Sequence, residues 1–285
     1  MSNYNPNESL ETAVESRNLE LPLDWPAGAD LLFDESEGWS LAHEAIYARL
    51  PESLESLLEA GFPVNAEDGE SKRTLLHTAA MFGDAALVRT LIKHGALIDK
   101  PDAGGDTPLH CAAWKNNADA VRALCEAGAN LNALTDCNET PLHTAARRLA
   151  PKAVKALIEA GADVNGGTPL LLTVTDENDT RWERDYRDHG GMRADVQILR
   201  LLLDAGASPT QAVLAEAVSS NHTLAMRALV RAGADPTTVE PGRHADANKA
   251  LEELVAKHVQ RQARALRDAV GDDAEPVAMH SRSRF

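Results

Sequence analysis

Apolar residues return along this chain in two kinds of block, each at a fixed interval. Leu76-His77-Thr78-Ala79-Ala80, Leu109-His110-Cys111-Ala112-Ala113 and Leu142-His143-Thr144-Ala145-Ala146 stand 33 residues apart. Leu91-Ile92-Lys93-His94-Gly95-Ala96, Leu124-Cys125-Glu126-Ala127-Gly128-Ala129 and Leu157-Ile158-Glu159-Ala160-Gly161-Ala162 follow at the same period. Between the blocks lie polar, turn-forming stretches such as Asp102-Ala103-Gly104-Gly105-Asp106. A period of this size marks units that cannot bury their apolar faces alone and must stack as a solenoid.

The residue types assign the parts of each unit. Thr107 and Thr140 have the chemistry to N-cap a first helix, and Pro108 and Pro141 follow at a position where a missing N–H costs nothing. Leu109 and Leu142 face the core. The Ala-Ala pairs keep the helix thin, so neighbouring units come close. Gly95, Gly128 and Gly161 end the second helix, where a left-handed residue is cheap. The spacing by itself predicts a helical repeat over about 67–99, 100–132 and 133–165, with a degenerate first repeat over about 34–66.

Later repeats break the pattern. Thr168-Pro169-Leu170-Leu171 keeps the start, but Leu171 stands where histidine is expected and only Gly166-Gly167 precede it. From Leu171 to Gly206 is 35 residues, where His143 to Gly161 is 18, so an insertion occupies about 176–193. It is polar and carries Trp182 and Tyr186. A sixth repeat, through Ser208-Pro209-Thr210, Leu214 and Gly233, has no turn-rich stretch before it. Leu251, Leu254, Val255, His258, Val259, Gln262 and Leu266 fall near helical spacing and predict one more helix.

These residues closely resemble the ankyrin repeat, strongly over about 34–165 and weakly to about 239. The resemblance implies an all-α solenoid of about six repeats with helical caps. It implies β-hairpin fingers at right angles to the helix pairs, lost here in the last two repeats. The expected organisation is a cap segment over 1–33, a repeat domain over 34–239, a capping helix over 240–270 and a disordered tail over 271–285. The resemblance also implies that His43, His77, His110 and His143 hydrogen-bond across repeats, and that partners bind a concave face of fingers and first helices. The two residues after each Ala-Ala pair then face that groove: Tyr47 beside Ala48, Met81 and Phe82, Trp114 and Lys115, Arg147 and Arg148. Lys72, Arg73, Asp106 and Glu139 form its rim. With Trp182 and Tyr186 of the insertion, these are the candidate partner-binding residues.

Charge and composition narrow the partner. The net charge is −16, and residues 1–70 alone carry −14, leaving −2 for the rest. Phosphate backbones would be repelled, so nucleic acid is not an expected partner; the acidic stretch either keeps the chain soluble or steers a protein partner with a basic surface. Aromatics are 4% of the chain, which makes a cluster of Tyr, Phe and Trp in one groove informative. Cys111, Cys125 and Cys137 form no Cys-x-x-Cys pair, favouring a reducing, cytoplasmic setting and no metal. Apolar runs are too short to span a membrane. No nucleophile elbow, phosphate-binding loop or zinc-protease motif occurs. Asp176, Asn178 and Thr180 begin like a calcium loop, but Arg181 and Arg187 stand where glycine and glutamate are required. The reading is a non-enzymatic, cofactor-free, monomeric protein-binding module. Its expected role is an inhibitor or immunity protein for a basic toxin, the alternative being a scaffold or host-directed effector.

Overall fold

The period becomes a series of short helix pairs. The computed structural model describes residues 41–59, 61–167, 169–174 and 194–270. The cap segment 1–33, the insertion 176–193 with Trp182 and Tyr186, and the tail 271–285 lie outside the described residues. In chain order the first helices are α1 (Leu41–Tyr47), α3 (Leu75–Phe82), α5 (Pro108–Trp114) and α7 (Pro141–Arg147). The second helices are α2 (Pro51–Glu59), α4 (Ala85–Lys93), α6 (Ala118–Glu126) and α8 (Pro151–Glu159). First helices pack on first helices and second on second, so every repeat buries its neighbour's apolar face. Leu76, Leu109, Leu124, Leu142 and Leu157 are buried, and so are the Ala79-Ala80, Ala112-Ala113 and Ala145-Ala146 pairs.

The helix ends follow the sequence. Thr74, Thr107 and Thr140 are N-caps in extended conformation, and Pro108 and Pro141 open α5 and α7. Gly95, Gly128 and Gly161 take φ of +88°, +90° and +93° after the second helices. Those left-handed residues let the next N–H reach back, as Ala129 N donates to Leu124 O at 3.0 Å. Asparagines tie repeats together. The Asn117 side chain accepts from Ala120 N at the start of α6 and donates to Ala80 O and Gly83 O of the preceding repeat.

Fingers project from the helix pairs. In the first, β1 (Glu67–Asp68) pairs antiparallel with β2 (Arg73–Thr74) around a 3-10 turn at Gly69–Ser71. The next two close without strands, through Asp102 N to Asp106 O at 2.8 Å and Thr135 N to Glu139 O at 3.0 Å. Neighbouring fingers bond sideways, Ala103 N to Ser71 O at 2.9 Å and Asp136 N to Gly104 O at 3.1 Å. Each finger has a left-handed position, at Lys72, Gly105 and Asn138, and the first adds a positive φ at Gly69. At Gly105 a Cβ would also stand 2.7 Å from Asp136 N, so this finger needs glycine for its neighbour's approach.

The fifth repeat departs from the expected first helix. Leu171–Thr173 forms a 3-10 turn, closed by Thr173 Oγ1 donating to Leu170 O at 2.7 Å. Leu171 has no ring nitrogen to cap a helix start, which is what His110 supplies in α5. Its second helix is α9 (Ala194–Asp204), packed on α8. These residues through Ala207 belong to one compact unit, and those from Ser208 to a second.

The second unit holds α10 (Gln211–Ser219), α11 (Thr223–Arg231), a 3-10 turn at Pro236–Thr238 and α12 (Ala245–Val270). Leu214, Met226, Leu229, Ala247 and Leu251 form its core. The predicted final helix is present, but its apolar stripe is covered only at the start: Val259 and Leu266 are exposed. Length is the reason. A helix of 26 residues runs about 39 Å, against about 13 Å for the nine-residue α10 and α11.

Candidate protein-recognition groove

The groove begins with the histidines that hold the fingers. The Thr107 backbone N–H donates to His110 Nδ1 at 3.2 Å, so Nδ1 carries no proton. Nε2–H is then the donor to Glu139 O at 3.0 Å, one repeat further on. His77 does the same, accepting from Thr74 N and donating to Asp106 O at 3.1 Å. Burial pushes the pKa of His43, His77 and His110 down, which keeps these rings neutral. The His77 and His110 rings each fix a helix start with one nitrogen and the base of a finger with the other. Asp106 and Glu139 owe their positions to backbone contacts of this kind.

Between the fingers and the first helices lies a cleft of about 680 Å³. Seven of the candidate residues line it: Tyr47, Arg73, Met81, Phe82, Asp106, Trp114 and Lys115. Tyr47 and Phe82 have ring centroids 4.9 Å apart, tilted by 39°. The Lys115 ammonium lies 4.7 Å above the Phe82 ring, and the Arg148 guanidinium 3.7 Å above Trp114. These contacts join side chains of successive repeats into a ladder of rings and cations. Tyr47 and Trp114 are nevertheless each 41% exposed. Large aromatic faces left open to water are a recurring feature of recognition surfaces.

The rim residues divide. Arg73 Nε bonds Asp102 Oδ2 at 3.1 Å, bridging two fingers, with Asp102 almost fully buried. Arg147 reaches Glu139 of its own repeat at 2.7 Å. Lys72 is exposed at a left-handed position, and neither it nor Glu139, Arg147 or Arg148 lines the cleft. Asp106 is half-buried in the cleft wall; burial first, and the Asp102 charge next, raise its pKa. The cleft also contains Asp68, Glu70, Ser71 and Thr78, which sequence reasoning did not single out, and His43, which it named only as a structural histidine. The cue lay in Glu67-Asp68-Gly69-Glu70, an acidic finger in the register where the next repeat has Asp102.

Burial pushes the Cys111 thiol up to about 12, so no thiolate faces the cleft at neutral pH. Among the described residues, no group of three His, Cys, Asp or Glu is placed to hold a metal ion. No described helix is long and apolar enough to cross a membrane.

Comparison with known proteins gives the same architecture. A family model described as ankyrin repeats (3 copies) matches residues 41–135, and a second, ankyrin repeats (many copies), matches 115–158. The solved human ASB11 ankyrin repeat domain is similar in fold, with a TM-score of 0.59 and 22% identity. The match covers 75% of this chain and 97% of that one. No curated protein matches the sequence. Ankyrin repeats are generic modules of protein–protein interaction. The 33-residue period, the Thr–His caps, the laterally bonded fingers and these matches make the chain an ankyrin-repeat protein.

Proposed function

We propose that the protein acts by holding a segment of a partner protein in the cleft between its fingers and first helices, without catalysis. One observation carries this reading: in a chain with few aromatics, Tyr47, Phe82 and Trp114 gather in one cleft with Tyr47 and Trp114 open to water. Exposed aromatic side chains pre-set by neighbouring contacts lose little entropy on binding and supply much of the affinity at interfaces. Arg148 and Lys115 hold two of the rings in place before any partner arrives.

The charge distribution supports a partner with a basic surface, because −14 sits within residues 1–70. A binder that neutralises a basic protein, as an immunity protein neutralises a toxin in the cytoplasm, is the finer reading. Lys72, Arg147 and Glu139 would then meet the partner at the edge of the contact.

A phage-displayed library of random peptides, selected on the full chain, tests the site. Peptides that bind the groove lose about thirty-fold in affinity on Trp114→Ala, the equivalent of about 2 kcal/mol. Selected peptides that bind Trp114→Ala and Phe82→Ala as well as the parent would remove the groove as the site.

A further inference from the structure

One carboxylate in the cleft has no counter-charge of its own. Arg73 and Arg147 are the basic groups whose charges reach Asp106. Each is already engaged elsewhere, Arg73 with Asp102 at 3.1 Å and Arg147 with Glu139 at 2.7 Å. Those two pairs are neutral, so Asp106 remains as the excess negative charge beside them. Among the described residues, no hydrogen bond or ion pair engages its side chain; its backbone N–H and C=O serve Asp102 and His77 instead. Lys115, the other cation lining the cleft, sits over the Phe82 ring. Asp68 and Glu70 of the first finger line the same cleft and add negative charge. Holding Asp106 half-buried beside Asp102 costs stability, and the charges of Arg73 and Arg147 offset that cost only in part. A carboxylate in that condition is open to a cation from outside.

We propose that the cleft takes a cationic side chain, an arginine or lysine of the partner polypeptide, with its charged head on Asp106. The apolar stem of such a side chain has the Phe82 and Trp114 faces beside it. Rings in this cleft already accept cations, as Arg148 on Trp114 and Lys115 on Phe82 demonstrate. The partner's cation would thus meet a carboxylate and an aromatic wall together, a combination that a neutral side chain cannot satisfy. This inference rests on the groove being the recognition site.

The test uses the isotope-labelled full chain and two small probes, N-acetyl-arginine amide and its neutral near-isostere N-acetyl-citrulline amide. NMR titration follows the backbone amides of 102–107 and the Trp114 indole N–H. The arginine probe is expected to shift these signals saturably, with citrulline at least about ten-fold weaker. Asp106→Asn should bring the arginine probe down to the citrulline level. That variant keeps the backbone bonds of residue 106, and Asp119→Asn, an exposed carboxylate paired with Arg122, should change nothing. The N-acetyl-lysine amide, run in parallel, decides which of the two cations is preferred. Equal binding of arginine and citrulline, an unchanged Asp106→Asn titration, or no saturable shift at roughly 50 mM probe would each overturn the proposal. If the phage-selected peptides depend on Trp114 but carry no basic residue, this inference fails while the groove stands as the site. If none depends on Trp114, the groove itself fails as the site.

Discussion

The repeats over 67–165 and the one over 208–239 are built from the same helix pair, yet only the first set grows fingers. In α5, Thr107 caps the helix and His110 stands at its third position, joined to the cap and to Glu139 of the next repeat. In α10, Thr210 caps the helix but Val213 stands third, and it is simply buried. Valine has no ring nitrogen to reach a following finger, and no finger-like stretch precedes this repeat. Helix pairing survives the loss, since Leu214, Ala217 and Leu229 are as buried as Leu109, Ala112 and Leu124. Histidine and finger therefore belong together as one device, separable from the helix pair. Where the device is present, a cleft lies between finger and helix.

The largest expected effect tests whether the two regions share a packing rule. Leu109→Ala and Leu214→Ala should each lower the unfolding free energy by about 2–5 kcal/mol, measured by urea denaturation. A cost below about 1 kcal/mol at Leu214 would mean that the fingerless repeat is packed by a different rule.

A smaller effect separates the regions by pH. His43, His77 and His110 have pKa values lowered by burial from the ordinary 6.5. The unfolded chain therefore takes up protons first as pH falls. Stability contributed by neutral burial is complete above about pH 6.5 and is lost as pH drops below it, through the folded-state values. Each histidine adds a limiting slope of about 1.4 kcal/mol per pH unit. Hydrogen exchange should show the loss first in the amides of 67–165. A stability profile that is flat from pH 7 to pH 5 would contradict the neutral, cross-linking rings.

The smallest effect concerns the cleft alone and has the opposite sign. Asp106 has a raised pKa, so its charged form is penalised in the folded state. Asp106→Asn should stabilise the protein at pH 7 by a few tenths of a kcal/mol, the scale of a close like-charge pair. The gain should shrink as pH falls through the raised pKa towards the ordinary carboxylate range. Thermal unfolding at the two pH values is the measurement, and a loss of stability at pH 7 would reveal a partner for this carboxylate inside the protein.

The sequence by itself determined the helix pairs, their caps and the left-handed glycines. Each depends on residues close along the chain, and the 33-residue period repeats the statement until it is unmistakable. It also determined which positions share a column: Met81, Trp114 and Arg147 are 33 residues apart, as are Phe82, Lys115 and Arg148. What it left open was which long side chain in each column pairs with which carboxylate. Only the tertiary structure decided that Arg73 turns to Asp102, that Arg147 turns to its own finger and that Arg148 lies on Trp114. That choice left Asp106 unpaired in an aromatic cleft, a condition created between repeats that no single repeat could have displayed.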